Sequence, residues 1–485
     1  MAVKRHRWAA VGEFVNRQRE LDRLEDWWLA PDREPLNLYG RRRVGKSWLF
    51  RRFAHGKPSV ILVADRVAPG QQLAAMAAQL EEVLGVLPRI DDIATLFRLL
   101  YQLARRRKVL VVIDEFPYLL GTSSAEQQAT LTAIQAVMEQ ERDSSKIKLI
   151  LTGSTIVQME ALQAERSPLH GRLVPLPLRP LPFADARHFM GVTDTIDQVT
   201  RYAVAGGMPR YLHALTSADL LDTIATQVAD RYGPFFNEPR TLLQTELREP
   251  AVYFSVLSRL AGAPQAASSI AADLRMESNE VSRYLSVLES LQLVSRRRPV
   301  GARPDTRTTQ WRCEDHFVRF WFRFIQPYQA ELEAGANARA HVELTIAPQL
   351  ADHTAPVFEE VVTAWARQTY AGRASEVGGW WGPALHRLRS AKTRFTEEID
   401  TVAVHGKSVL LAAEAKWTTK PMDASVLTSL LEYKLPAMAQ AGFTIDGCAV
   451  VLASKSGFTD GIRTLASDHP SVTLWNAAEL LTQIA

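Results

Sequence analysis

Only two cysteines, Cys313 and Cys448, occur in the 485 residues, and neither sits in a CxxC or a Cys/His cluster. A zinc site of the usual ligand spacing and a disulfide-stapled framework are therefore excluded, and a cytoplasmic, reducing compartment is expected. Excess charge of one sign is also missing. The 57 Lys and Arg against 53 Asp and Glu leave a net +4, too little over this length to announce a nucleic-acid partner, so any basic surface has to be local. The basic start MAVKRHRWAA is followed by no apolar segment, and no run approaches the ~18 apolar residues of a membrane span, so neither export nor membrane insertion is expected. Equal counts of Gly and Pro, 25 each, with 47% hydrophobic residues exclude collagen and long disorder. What remains is a soluble globular chain of roughly three domains.

The first third alternates short apolar runs with helical spacing. Leu36–Tyr39, Val60–Ala64, Val109–Ile113 and Lys148–Leu151 read as parallel strands buried on both faces, and Gln71–Leu87 and Ala125–Gln140 as the helices between them. Directly after the first strand comes Gly40-Arg41-Arg42-Arg43-Val44-Gly45-Lys46-Ser47, a complete GxxxxGK[ST] that opens the helical Trp48–Ala54. Strand, glycine loop and helix are the context in which that motif binds nucleoside phosphates. Backbone N–H groups of Gly40 to Ser47 would face the phosphates of ATP, Lys46 would neutralise the β/γ oxygens, and the Ser47 hydroxyl would hold Mg²⁺.

Val109-Leu-Val-Val-Ile-Asp114-Glu115 is a second apolar strand, ending in two acids. Asp114 is expected to bind Mg²⁺ and Glu115 to orient and deprotonate the attacking water, as phosphoryl transfer to water demands. Lys148–Ser154 ends in small polar residues, which places Thr152 or Ser154 as a sensor beside the γ-phosphate; a plain strand-to-turn transition explains Gly153 equally well. Arg172, in His170-Gly-Arg172, is a candidate for the charge an arginine finger supplies, with an ordinary surface arginine as the alternative. Of Arg41, Arg42 and Arg43, at least one is expected in solvent.

These residues resemble the archaeal-type ATPases at the border of the STAND and AAA+ P-loop classes, and the resemblance runs the whole length. Phe14-Val-Asn16-Arg-Gln-Arg-Glu20-Leu21 resembles the box ahead of the P-loop, with Asn16 departing from the Gly or Asp of many relatives. GRRRVGKS, VIDEFPYL and ILTGST resemble Walker A, Walker B and sensor segments. Gly206-Gly-Met-Pro209-Arg-Tyr-Leu212 is similar to the GxP motif of STAND helical subdomains, which implies that Pro209 approaches the base; a helix-starting proline is compatible with that.

Beyond Phe183 the pattern turns helical. Within Ala251–Arg298 a middle helix Ala267–Leu274 and a third helix Asn279–Leu291, capped by Ser278, precede the basic run Arg296–Arg298 and the loop Pro299–Pro304, the layout of a winged helix-turn-helix. Asn279, Glu280, Ser282, Arg283 and Ser286 occupy the exposed face of the third helix. Acidic Glu277 and Glu280 at its start leave DNA and a protein partner as equal candidates.

Near the end, Glu398-Ile-Asp400, a turn at His405-Gly-Lys407 and Glu414-Ala-Lys416 form a hairpin. A three-residue turn centred on Gly406 sets Asp400 opposite Ala412, on the face that carries Glu414 and Lys416. Two carboxylates with an ammonium can hold Mg²⁺ and position water for phosphodiester hydrolysis; a salt-bridged hairpin explains the same charges without metal. The pattern resembles the PD-(D/E)xK nuclease core, which implies catalytic roles for Asp400, Glu414 and Lys416 and makes Glu359, on the helix carrying Val357, Val361 and Trp365, a further metal ligand. Val377–Gly382 and Ser454–Phe458 resemble the C-terminal domain that accompanies these ATPases. A last strand, Gly447–Ala453, and a closing helix complete the chain.

The expected organisation is a P-loop ATPase domain at 1–180, a helical subdomain at 181–249, a winged helix at 250–312, a connecting segment at 313–345 and a restriction-endonuclease-like α/β domain at 346–485. Function is expected as an ATP- and Mg²⁺-dependent ATPase coupled to a DNA endonuclease, or as a nucleotide-gated regulator that binds DNA or protein and cuts nothing. An oligomer is compatible with either.

Overall fold

The structure is a computed structural model that describes residues 17–31, 34–215, 219–247, 249–303, 308–385 and 396–484. The chain folds as two compact units, one of residues 1–180 with 208–210, the other of residues 181–207 with 211–485.

In the first unit five parallel strands, β1 (Leu36–Tyr39), β2 (Ser59–Val63), β3 (Val109–Asp114), β4 (Ile147–Gly153) and β5 (Val174–Pro177), lie in the order β2-β3-β4-β1-β5. Every residue of β1 and β3 is buried, which is why these strands carry mostly apolar residues on both faces rather than alternating. Crossover helices connect them, among them Ile93–Leu103, which the sequence reading passed over, and Ser124–Glu141, whose start is fixed by a reciprocal Ser123/Glu126 capping box. Parallel strands of one direction gather the ends of β1, β3 and β4 at one edge, where Gly40, Glu115 and Ser154 follow them.

The second unit opens with helices and continues through Pro250–Leu260, Ala267–Leu274 and Ser278–Ser290 into an antiparallel pair, β6 (Val294–Arg297) and β7 (Gln310–Cys313). The expected order of elements is present, with one correction: Ser278 is the first helical residue, the N-cap is Glu277, and no side chain caps the end. On that helix Val281, Leu285 and Leu288 are buried and Asn279, Ser282, Arg283 and Ser286 exposed, as the helical period requires. The helix His316–Phe324 packs Phe317, Phe320, Trp321 and Phe324 into the core.

A mixed sheet closes the unit. Strands β8 (Glu376–Pro383), β9 (Thr396–His405), β10 (Ser408–Lys416), β11 (Ala449–Ser454) and β12 (Val472–Asn476) lie in the order β12-β11-β10-β9-β8, antiparallel on one side of β10 and parallel on the other. The strand near Gly447–Ala453 is therefore not the last. Helix Leu350–Thr369 covers one face through Val357, Phe358, Val361 and Trp365, and a second apolar cluster around Val402, Ala412, Leu430 and Leu452 fills the other.

Val300 and Gly301, which follow β6, are built into this sheet. Val300 is buried in the second cluster, its N–H donates to the Gly379 carbonyl at 2.9 Å, and the Gly301 N–H donates to Glu376 Oε2 at 2.9 Å. Arg297 donates to Glu398 Oε1 at 3.2 Å and lies over the Trp381 ring.

Candidate functional site

The P-loop grows from β1 because only glycine fits its first position: a Cβ on Gly40 would stand 2.3 Å from the Leu178 carbonyl oxygen. At its far end Gly45 has φ +100°, a left-handed conformation that glycine takes at little cost. Between them Arg41 and Val44 are buried, and Arg42 and Arg43 are exposed. The Lys46 ammonium donates to the carbonyls of Gly40 at 2.7 Å and Arg41 at 3.1 Å, so its charge is held inside the loop. Pro209, which groups with this unit, brings its ring within 3.8 Å of where a Gly45 Cβ would be.

Two strand ends complete the site. The Ser47 hydroxyl donates to Asp114 Oδ2 at 3.3 Å. Burial, then the charge of Glu115, raise the Asp114 pKa above the usual carboxylate range, and Lys46 opposes them. Hydroxyl and carboxylate oxygens facing one another are hard donors of the kind Mg²⁺ takes, so Ser47 and Asp114 fit that ion. Glu115 follows β3 with φ 53°, and Ser154 donates both its N–H, at 3.1 Å, and its hydroxyl, at 2.9 Å, to Glu115 Oε2. Ser154 thus meets Glu115, whereas the Thr152 hydroxyl is buried without a partner.

Arg172 is a correction. Its strand starts beside Pro35, where the Val174 N–H donates to the Pro35 carbonyl, so Arg172 sits at the amino ends of the strands, the edge opposite the P-loop, and pairs with Glu139. It does not join the phosphate site of its own unit.

One contributor went unseen in sequence. Arg17 is 8% exposed, and its Nη2 donates to the carbonyls of Val44 at 3.1 Å and Arg179 at 2.7 Å, which ties the P-loop backbone to the end of the unit. Its place in the box beginning at Phe14 was the only signal; Phe14 and Asn16 lie outside the described residues.

The second cluster lies on β9 and β10. The turn holds two residues, Gly406 and Lys407, with His405 paired to Ser408, and a bulge intervenes between Val409 and Leu411. Each feature moves the register by one residue, and the two shifts together restore the face. With Thr401 paired to Ala413, Asp400 stands opposite Glu414 rather than Ala412. Asp400 Oδ2 accepts from the Ala415 N–H at 2.9 Å and from Lys416 Nζ at 3.3 Å; Lys416 also reaches Glu414 Oε2 at 3.1 Å. Glu414 is fully buried, and its Oε1 accepts from Lys434 Nζ at 2.7 Å. Lys434 belongs to a π-turn, Leu430–Lys434, and was also absent from the sequence reading.

Electrostatics mark the cluster as crowded. Burial, then the charge of Asp400, raise Glu414, with Lys416 and Lys434 opposing. The same two causes push Glu359 up to about 8. Burial alone would lower Lys416, but Asp400 and Glu414 outweigh it and hold the ammonium charged. Among the described residues no three His, Cys, Asp or Glu side chains gather closely enough to form a ready metal cage. Carboxylate oxygens remain the donor chemistry Mg²⁺ prefers, with Lys416 now spanning the two acids.

Comparison with known proteins agrees with the first unit. Residues 14–215 match the family described as an ATPase domain predominantly from Archaea, and residues 321–427 match a family of archaeal and bacterial proteins of unknown function. An uncharacterized protein of Methanocaldococcus jannaschii is 26% identical over 416 residues, covering 83% of this chain and 87% of that protein. Among solved structures, the Walker-type ATPase of Pyrococcus abyssi is similar with a TM-score of 0.48 and 18% identity, over 64% of this chain and 96% of that one. The ORC2 protein of Aeropyrum pernix, solved with ADPNP and ADP, has a TM-score of 0.40 and 15% identity, over 69% of this chain and 97% of that one. Residues 14–215 therefore resemble an ATPase domain of the archaeal type. No helix among the described residues is long and apolar enough to cross a membrane.

Proposed function

We propose that this protein binds and hydrolyses ATP at Gly40–Ser47, Asp114 and Glu115, and that its C-terminal mixed-sheet domain uses the resulting cycle to act on DNA as a Mg²⁺-dependent endonuclease. The observation that carries the ATPase reading is the meeting of Lys46, Ser47, Asp114 and Glu115 at one sheet edge. Lys46 would neutralise phosphate charge, Ser47 and Asp114 would hold Mg²⁺, and Glu115 would take a proton from the attacking water. When bound, the ion supplies charge stabilisation to the phosphate oxygens. Pro209 beside Gly45 supports the GxP reading of the nucleotide pocket.

Convergence of Asp400, Glu414 and Lys416 supports the nuclease reading, with Asp400 and Glu414 as the residues that would hold Mg²⁺ there; Glu359, expected as a third ligand, does not gather with them into a metal site among the described residues. A second reading, a nucleotide-gated regulator of DNA or a protein partner with an inactive nuclease-like domain, is favoured by one contact: Lys434 already neutralises Glu414. Nucleotide binding and turnover of Lys46→Ala and Glu115→Gln test the ATPase reading. Lys46→Ala is expected to lose tight ATP binding, and Glu115→Gln to keep it while losing most turnover. Wild-type turnover in Glu115→Gln removes Glu115 from the chemistry.

A further inference from the structure

Ser154 and Glu115 are 39 residues apart in sequence, and the fold joins them through a single carboxylate oxygen. Glu115 is constrained at both ends. Its backbone is left-handed, a conformation non-glycine residues seldom adopt, and its carbonyl accepts from the Tyr118 N–H at 3.0 Å in the tight turn that follows β3. Its side chain is gripped at Oε2 by the N–H and the hydroxyl of Ser154. Oε1 accepts no hydrogen bond among the described residues. Of the Thr152 and Ser154 hydroxyls, only that of Ser154 reaches Glu115, since Thr152 Oγ1 is buried without a partner.

We infer that Ser154 is a positioning residue for ATP hydrolysis, acting through Glu115 and not on the γ-phosphate. A glutamate has three rotatable side-chain bonds, and a base that wanders among rotamers spends little time aligned with its water. Two donors on Oε2, both charge-assisted, fix the plane of the carboxylate and leave Oε1 to receive the proton. In the step served, a water oxygen bonds to the γ-phosphorus, its proton passes to Oε1, and the bond from the γ-phosphorus to the bridging oxygen breaks. The electron pair leaves with ADP. The strand end that the sequence suggests as a phosphate sensor thereby becomes the support of the base.

This inference rests on the ATPase reading, so the experiment measures both. Steady-state turnover and the separate affinities for ATP and ADP are determined for wild type, Lys46→Ala, Glu115→Gln, Ser154→Ala, Ser154→Thr and the Glu115→Gln/Ser154→Ala double variant. Ser154→Ala keeps the backbone donor and loses the hydroxyl. Its kcat is expected to fall about tenfold, with KM for ATP and the ATP-to-ADP affinity ratio unchanged. Ser154→Thr restores most of the rate, and Ser154→Ala adds no further loss in the Glu115→Gln background, the signature of a residue that works through another. A weaker ATP affinity with ADP affinity intact makes Ser154 a phosphate sensor and overturns the inference. A raised kcat makes it a latch, and an unchanged kcat makes it inert; either result overturns it equally. Wild type without Lys46-dependent turnover overturns the ATPase reading itself, and this inference with it.

Discussion

Lys434 donates to Glu414 Oε1 at 2.7 Å while Lys416 reaches Oε2 of the same carboxylate at 3.1 Å, so one fully buried acid is bracketed by two ammonium groups. Removing one partner leaves a buried carboxylate half-compensated, at a cost of up to about 3 kcal/mol. Lys434→Met is expected to lower the denaturant midpoint, and a second change, Glu414→Gln, to recover part of the loss. A double variant less stable than Lys434→Met would show that the pair is not the source.

Cleavage separates the two functional readings. Asp400→Ala and Glu414→Ala should each abolish Mg²⁺-dependent nicking of DNA and leave ATP turnover nearly intact. Lys416→Ala should lose cleavage yet retain Mn²⁺ binding, because the lysine contributes charge and not a ligand. The assay is run with and without ATP, on duplex and single-stranded DNA. Wild type that neither binds Mn²⁺ at the hairpin nor cuts under any of these conditions makes the regulator the better account.

Glu359 gives the protein a pH signature. Burial and Asp400 push its pKa up to about 8, against 4.5 for an ordinary glutamate. Between these values the folded chain keeps a proton that the unfolded chain has released, so stability falls as pH rises through that window. Glu359→Gln removes the titration. Its melting temperature should match wild type near pH 4 and exceed it near pH 9. Equal differences at both ends would mean that Glu359 is already ionised at neutral pH.

Arg172 makes a different prediction, because its partner is Glu139 at the sheet edge away from the P-loop. Arg172 is about one third exposed and Glu139 about half, so their ion pair contributes at most about 1 kcal/mol. Arg172→Ala should leave turnover and ATP affinity within about twofold of wild type. A large loss that a second, Glu115→Gln chain rescues on mixing would place Arg172 across a subunit boundary.

The P-loop was legible because its chemistry is contiguous: eight residues, Gly40 to Ser47, carry the turn, the charge and the hydroxyl, and the strand before them is apolar but for Asn37. Asp114 and Glu115 were legible for the same reason. The hairpin was legible in its faces but not in its register. Reading Asp400 against Ala412 missed both a shorter turn and the bulge before Leu411, and the faces survived only because two one-residue shifts cancel in a period of two. Lys434 and the Ser154 grip on Glu115 were not legible, since neither contact lies within one element and a lysine in a π-turn has the same letters as a lysine in any helix. Arg172 could not be placed from sequence, since a lone arginine before a strand does not show which end of the sheet it joins, and strand direction carries it to the edge away from the P-loop.

The loop after β6 has a practical meaning for anyone dividing this chain. Val300 is seated among the apolar residues of the C-terminal sheet and donates to Gly379, and a Cβ on Gly301 would come within 2.5 Å of the Phe443 ring. A fragment that stops between residues 313 and 345 would strip that loop of its apolar bed, and one that starts there would leave the edge of β8 bare. Either piece should be sticky and poorly soluble, whereas a fragment spanning both should behave well. Segments that look like separate modules in the sequence share one apolar bed.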